Sequence, residues 1–301
     1  MKRSKSNQVC LRSKVNILGL PEELKRLKNR MTIGNLSPAS IVSYTRSVSK
    51  LSIFHELSPR DMELDQVLDF LVYLKEEEGL QWRTLKLYVG GLRYYYQEIV
   101  GSIDLAGKIP YPKEKPSLPQ IMSREELAQL FSGCLNLKHR VLFRLLYSSG
   151  LRRMELLNLK LRDIDTKDGK RRIRVNQGKG GKDRYTVLSE RVLEELRIYF
   201  KQCRPKDYLF NGQRKGSPMS RGALRHALDS AVKRSGLKRV VTPHLLRHCF
   251  ASHALEEGMN IKTLQYLLGH QSIQTTLIYL HVSEIPLSKA FSPLDRWEED
   301  V

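Results

Sequence analysis

Apolar positions recur along most of this chain at helical spacing. Ser37-Pro38 has the form of a helix start, a capping Ser before a Pro at the first helical position. Behind it Ile41, Tyr44, Val48 and Leu51 fall on one side of a helix. From Asp65 to Glu78, Val67, Leu68, Leu71 and Leu74 share a second such side, ended by Gly79. From Trp82 to Val100, Leu85, Tyr88, Val89, Leu92, Tyr95 and Tyr96 make a third. Together they predict an all-helical unit. The stretch Lys108–Pro119 then carries four prolines in twelve residues, which no helix tolerates, and its charges argue against burial. It reads as a linker.

Beyond the linker, Ser123-Arg124-Glu125-Glu126 forms a capping box. Helices are predicted at 123–133, 138–148 and 152–158, then at 190–202, 220–235, 243–257, 260–268 and 272–280. The period changes between them. Asp165–Gly169 reads as a turn, Arg172–Val175 alternates as a strand, Gly178–Lys182 is a tight turn, and Arg184–Leu188 is a second strand. The expected fold is mainly α, with one all-helical domain and one mostly helical domain holding a small antiparallel β-sheet. Its divisions are a basic arm at 1–18, a helical domain at 19–107, a linker at 108–120, a second domain at 121–283 and a tail at 284–301.

Composition narrows the function. At 301 residues there is room for one to three domains, and 41% hydrophobic residues is ordinary for a soluble protein. No apolar run approaches a membrane span and no secretory signal is visible, so the expected location is cytoplasmic, with no membrane partner. Cys10, Cys134, Cys203 and Cys249 lack metal-site spacing and read as unpaired thiols. The formal charge of +20 points to a polyanion. It is unevenly spread. Lys170–Arg184 holds seven basic residues against Asp183, and Arg221–Arg239 holds six against Asp229. Arg171, Arg172, Arg174, Lys182, Arg184, Arg221, Arg225, Lys233 and Arg234 are the candidate contacts to that polyanion within these runs.

The chemistry lies in a series of motifs. His244 and Arg247, behind Thr242-Pro243, fit one helix face. Twenty-two residues separate Arg247 from His270, which follows Leu268-Gly269, and eight separate His270 from Tyr279. A phenol following cations and imidazoles suits attack on a phosphodiester, with the cations neutralising the oxygens that gain charge. Arg152 follows a Gly-marked turn, where pairing with Glu155 is the plain structural alternative. Lys179 sits between glycines at a hairpin tip, and the string is not a P-loop. His244 and His248 have i, i+4 spacing but no Glu in the His-Glu-x-x-His position, so no metal site is expected.

These strings resemble the tyrosine site-specific recombinases of the phage integrase and Xer group. They are Ser149-Gly150-Leu151-Arg152 with Glu155, Gly178-Lys179-Gly180, His244-x-x-Arg247-His248, Leu268-Gly269-His270 and Tyr279-Leu280-His281-Val282. The first helical domain is similar to that family's core-binding domain. The resemblance implies that Tyr279 forms a 3′-phosphotyrosine and frees a 5′-hydroxyl. It implies that Arg152 and Arg247 hold the non-bridging oxygens, His270 adds a hydrogen bond, Lys179 protonates the leaving oxygen and His244 helps move the tyrosine proton. No metal, ATP or other cofactor is expected.

The expected function is therefore a DNA recombinase, for a mobile element or for Xer-like resolution. Its expected partners are double-stranded DNA, a tetramer of the chain on paired sites, and a related recombinase or accessory protein. A type IB topoisomerase-like nicking and resealing enzyme and a non-catalytic DNA-binding protein on the same scaffold are the alternatives. The tail favours the first. Leu287, Phe291, Leu294 and Trp297 among acids suit docking on a neighbouring protomer better than DNA. The stretch before Ser37 is too short for the arm-binding domain of large phage integrases.

Overall fold

The computed structural model describes residues 17–113, 120–176, 183–214 and 216–280. The chain divides into two compact units, Met1–Pro116 and Ser117–Val301. Most of the arm, the prolines at 116 and 119, the Gly178–Lys182 turn with Lys179 and Lys182, and the tail lie outside the described residues.

In the first unit the described elements are helices α1 (Leu20–Ile33), α2 (Pro38–His55), α3 (Leu64–Glu76), α4 (Trp82–Tyr95) and α5 (Ile103–Lys108). Ser37 caps α2 by accepting from the Ser40 amide at 3.1 Å, as its sequence implies. The core gathers Leu27 and Met31 from α1, Val48 and Leu51 from α2, Val67, Phe70 and Leu74 from α3, and Leu85, Val89, Leu92 and Tyr95 from α4. Phe70 rather than Leu68 completes the buried face of α3. The expected single helix from Trp82 to Val100 is instead α4 followed by a wider π-helical turn at Tyr96–Val100, which ends at Gly101.

Among the described residues, Glu23 is a charge buried in this core. Glu23 accepts from the Tyr95 hydroxyl at 2.8 Å and from Arg60 Nε at 3.1 Å. Burial pulls its pKa up, but the bonds from Arg60 and Tyr95 more than offset this and hold it below the usual carboxylate value.

The second unit is built on two helices, α7 (Leu137–Ser149) and α11 (Pro243–Glu256), packed on each other. Around them lie α6 (Arg124–Ser132), α8 (Arg153–Leu157), α9 (Glu190–Cys203), α10 (Arg221–Ser235), α12 (Ile261–Leu268) and α13 (Gln274–Leu277). The Ser123–Glu126 capping box starts α6, with both reciprocal bonds formed. Buried residues occur all round α11, including Leu246, Arg247, Cys249, Phe250, Ala251 and Leu255. A helix surrounded by protein has no need of an apolar stripe.

A three-stranded antiparallel sheet, β1 (Ile164–Asp165), β2 (Arg172–Val175) and β3 (Arg184–Val187), joins this core. The third strand, β1, was not expected and ends on Asp165, the first residue of the expected turn; Ile164 pairs with Ile173 and Asp165 with Arg172. Val175 faces Arg184 and Ile173 faces Thr186, and all four of these side chains are buried. Directly opposed residues share a sheet face, so the parity that sends Arg172 and Arg174 outward sends Arg184 inward. The helix expected at 272–280 is limited to α13 and a following turn.

Candidate active site

The site forms where α7, α8, α11 and the end of α12 meet. Gly150 ends α7 at φ 61°, and a Cβ there would stand 2.4 Å from the Phe250 ring. Only glycine lets the backbone turn this close to α11. The turn aims the Gly150 carbonyl at Arg247 Nη1, 2.6 Å away, and sets Arg152 at the start of α8.

Three guanidiniums then converge on one carboxylate and one helix end. Arg184 donates from both terminal nitrogens to Glu155, each at 2.8 Å. Arg152 donates to Glu155 Oε1 from Nη1 at 2.8 Å and to Oε2 from its amide at 2.7 Å. Arg247 Nη1 lies 4.0 Å from the same carboxylate. The last carbonyls of α12 have no intrahelical partners, and three in succession serve these side chains. Leu267 O accepts from Arg184 at 2.9 Å, Leu268 O from Arg247 at 2.7 Å, and Gly269 O from Arg152 at 2.7 Å. The negative end of the helix dipole faces them. Gly269 is required as well: at φ 62°, a Cβ would lie 2.8 Å from Arg184 Nε.

The electrostatics follow from this crowding. Burial raises the Glu155 pKa, but the hydrogen bonds and charge of Arg184, then of Arg152, bring it down to about 2. Burial and the neighbouring Arg152 lower Arg247 to about 10, leaving it charged at neutral pH. His270 is lowered to about 4 by burial, then by Arg247 and Arg152. Its Nε2 accepts from Arg247 at 3.0 Å, so its proton sits on Nδ1, 2.9 Å from Thr276 Oγ1. One carboxylate against three guanidiniums leaves a surplus of positive charge.

A cavity of about 910 Å³ opens onto this surplus. Arg152, His244, Arg247 and His270 line it, and so do Arg221 and Arg225 from the start of α10. Tyr279 stands behind it, 1% exposed, its ring stacked on His270 with centroids 6.3 Å apart. Burial raises its pKa, against the opposing pull of Arg247 and Arg152. Its hydroxyl lies 2.9 Å from His248 Nδ1. His244, expected beside the tyrosine proton, instead packs edge-on against His248, with ring centroids 4.2 Å apart.

The structure thus gathers Arg152, His244, Arg247, His270 and Tyr279. The Arg152–Glu155 pair offered as the structural alternative does form, and Arg152 faces the cavity as well. The candidate DNA contacts separate. Arg171, Arg172 and Arg174 pair with Glu190, Asp165 and Asp183 on the outer part of the sheet. Lys233 and Arg234 lie about 18 Å along α10 from Arg221, at 1.5 Å per residue. Arg184 requires a correction: it is buried inside the unit, held by Glu155 and the Leu267 carbonyl, and is not presented to a duplex. Sequence reasoning gave no role to His248 or Thr276, whose importance comes from tertiary contact alone.

A helical unit that sets guanidinium forks and imidazoles beside a buried tyrosine has the donor set that a phosphate group would accept from. Comparisons with known proteins agree. Residues 117–285 match the phage integrase family, and residues 24–103 match the phage integrase N-terminal SAM-like domain. The chain belongs to the phage integrase family. It is 37% identical over 273 residues to y4qK of Sinorhizobium fredii, covering 90% of this chain and 88% of that protein. It is 34% identical over 274 residues to tyrosine recombinase XerA of Thermococcus kodakarensis, covering 89% of this chain and 94% of the relative. In fold it resembles the lambda integrase dimer bound to a COC′ core site. The TM-score is 0.70 and the identity 19%, over 86% of this chain and 76% of the other.

Proposed function

We propose that the chain is a site-specific recombinase that cuts and rejoins duplex DNA through a covalent bond to Tyr279. The observation that carries this reading is the convergence of Arg152, Arg184 and Arg247 on Glu155 and the end of α12, with the cavity opening onto Arg152 and Arg247. A backbone phosphate entering there would meet preset planar donors, which fit its non-bridging oxygens. Its negative charge would also favour a second proton on His270, turning Nε2 into a donor. The Tyr279 oxygen attacks phosphorus while His244 helps carry its proton away toward solvent, the bond to the 5′-oxygen breaks, and Lys179 supplies that oxygen's proton. The 3′-phosphotyrosine conserves the bond, so the released 5′-hydroxyl or a partner strand reseals without ATP.

In this reading residues 19–107 and 121–283 each contribute to binding the duplex, with Arg221 and Arg225 at the phosphate entrance of the second. Four copies assemble on two paired sites, helped by the 284–301 tail and by a related recombinase or accessory protein. A DNA substrate fits a cytoplasmic location. No observation on the chain favours a relaxing topoisomerase or a non-catalytic binder.

The test uses duplexes from DNA flanking the gene that the protein retains in a band-shift assay. Each carries a nick beside the cleavage position, so the freed strand diffuses away. The wild type should leave a covalent adduct on a denaturing gel, with chelator present, and Tyr279→Phe should leave none. An adduct with Tyr279→Phe, or one that needs magnesium, would overturn the mechanism.

A further inference from the structure

We propose that His248 is a positioning residue for the reaction: through Nδ1 it holds and aims the hydroxyl of Tyr279. The inference rests on the proposed role of Tyr279 as nucleophile and gives a role to a residue beyond Arg152, Lys179, His244, Arg247, His270 and Tyr279.

The Tyr279 oxygen and His248 Nδ1 are 2.9 Å apart. At neutral pH the phenol carries its proton, so the hydroxyl donates and Nδ1 accepts, which places the imidazole proton on Nε2. The arrangement is well held. His248 sits on α11, next in sequence to Arg247, whose guanidinium is fixed by the Gly150 and Leu268 carbonyls. The His244 ring meets it edge-on at 4.2 Å and the Tyr279 ring lies 5.4 Å from it. The phenol ring is also stacked with His270, itself tied to Arg247 and Thr276. Nucleophile and phosphate-binding fork are therefore registered to each other through adjacent residues of one buried helix. Burial, then His244 and Arg247, lower the His248 pKa to about 4, so the ring remains a neutral acceptor throughout the physiological range. Such a weakly basic ring is suited to direct the O–H bond and leave the oxygen lone pairs free, and poorly suited to carry the proton away.

The acceptor can be separated from the ring. Asn places its side-chain oxygen on the atom that bears Nδ1 in histidine, whereas Ala and Leu offer none. The experiment compares wild type, His248→Asn, His248→Ala, His248→Leu and Tyr279→Phe on the nicked duplex, measuring single-turnover cleavage, the dissociation constant and the melting temperature. His248→Ala and His248→Leu should cleave about ten- to a hundredfold more slowly with unchanged DNA affinity. His248→Asn should recover most of that loss. Asn failing as badly as Ala overturns the proposal, and so does an Ala variant that cleaves as fast as wild type or faster. If Tyr279→Phe still cleaves, the functional reading itself has failed, a result distinct from any of these.

Discussion

Replacing Glu155 with Gln should destabilise the protein strongly, and the loss should vanish in acid. The Glu155 side chain is 9% exposed and its partner Arg184 is 7% exposed. Removing the charge leaves Arg184 buried beside Arg152 and Arg247 with no counter-ion, a change that costs about 3–5 kcal/mol at comparable sites. Linkage gives an independent figure. Glu155 is held at about 2 against the usual 4.5. At about 1.36 kcal/mol per pH unit, that gap is worth about 3 kcal/mol. The two routes agree in size. Because the folded value is depressed, this stabilisation is fully present above pH 4.5 and is lost as pH falls toward about 2. The catalytic unit should melt about 10 °C lower in the variant at pH 7, taking about 2–4 °C per kcal/mol for a domain of this size. Differential scanning calorimetry of both proteins from pH 7 down to pH 3 would measure it. By pH 3 the difference should fall to less than about half. A shift below about 2 °C at pH 7 would refute the reasoning, and so would a gap that does not change with pH.

Gly269→Ala should lower cleavage far more than DNA affinity. Its Cβ would push the Arg184 guanidinium, and the left-handed backbone adds about 1–2 kcal/mol of strain; equal losses in both assays would contradict this. Arg225→Ala should weaken DNA binding and reduce the slope of log affinity against log salt by about one, a change that band-shift titrations across salt would detect. Arg184→Ala, by contrast, should lower the melting temperature sharply, because it leaves Glu155 buried without its bidentate partner; wild-type melting would disprove its internal role. Lys179→Ala should slow cleavage of ordinary DNA much more than cleavage at a 5′-bridging sulfur, since a thiolate leaves without an acid; absence of rescue would move the role elsewhere.

Much of the fold was legible because buried faces repeat at helical spacing. Val48 and Leu51, or Leu85, Val89 and Leu92, are all in the core as their periodicity implies. Helix α1 was not singled out, since Glu22, Glu23, Lys25, Arg26 and Lys28 surround its few apolar positions and one of the acids, Glu23, is itself buried. The strand β1 is two residues long and forms only by pairing with β2. In the site, His244 and Arg247 were readable because one turn of α11 separates them, whereas His270 and Tyr279 follow the ends of α12 and α13 and stood out only through the joint order of the motifs. Arg184 was misread as a DNA contact because net charge ignores parity. With Val175 facing inward and opposed to it, its direction follows from strand alternation alone. The His248–Tyr279 contact spans 31 residues and two helices, so no local pattern announces it.

Mapping the covalent bond tests the central claim most directly. After reaction of the full chain with the nicked duplex in excess chelator, the DNA would be digested and the protein fragmented for mass spectrometry. The account predicts one modified peptide, with the nucleotide's 3′-phosphate on Tyr279, and a released strand that ends in a 5′-hydroxyl. A nucleotide on any other residue, a 5′-phosphate on the released strand, or efficient cleavage with no protein-bound nucleotide would contradict it.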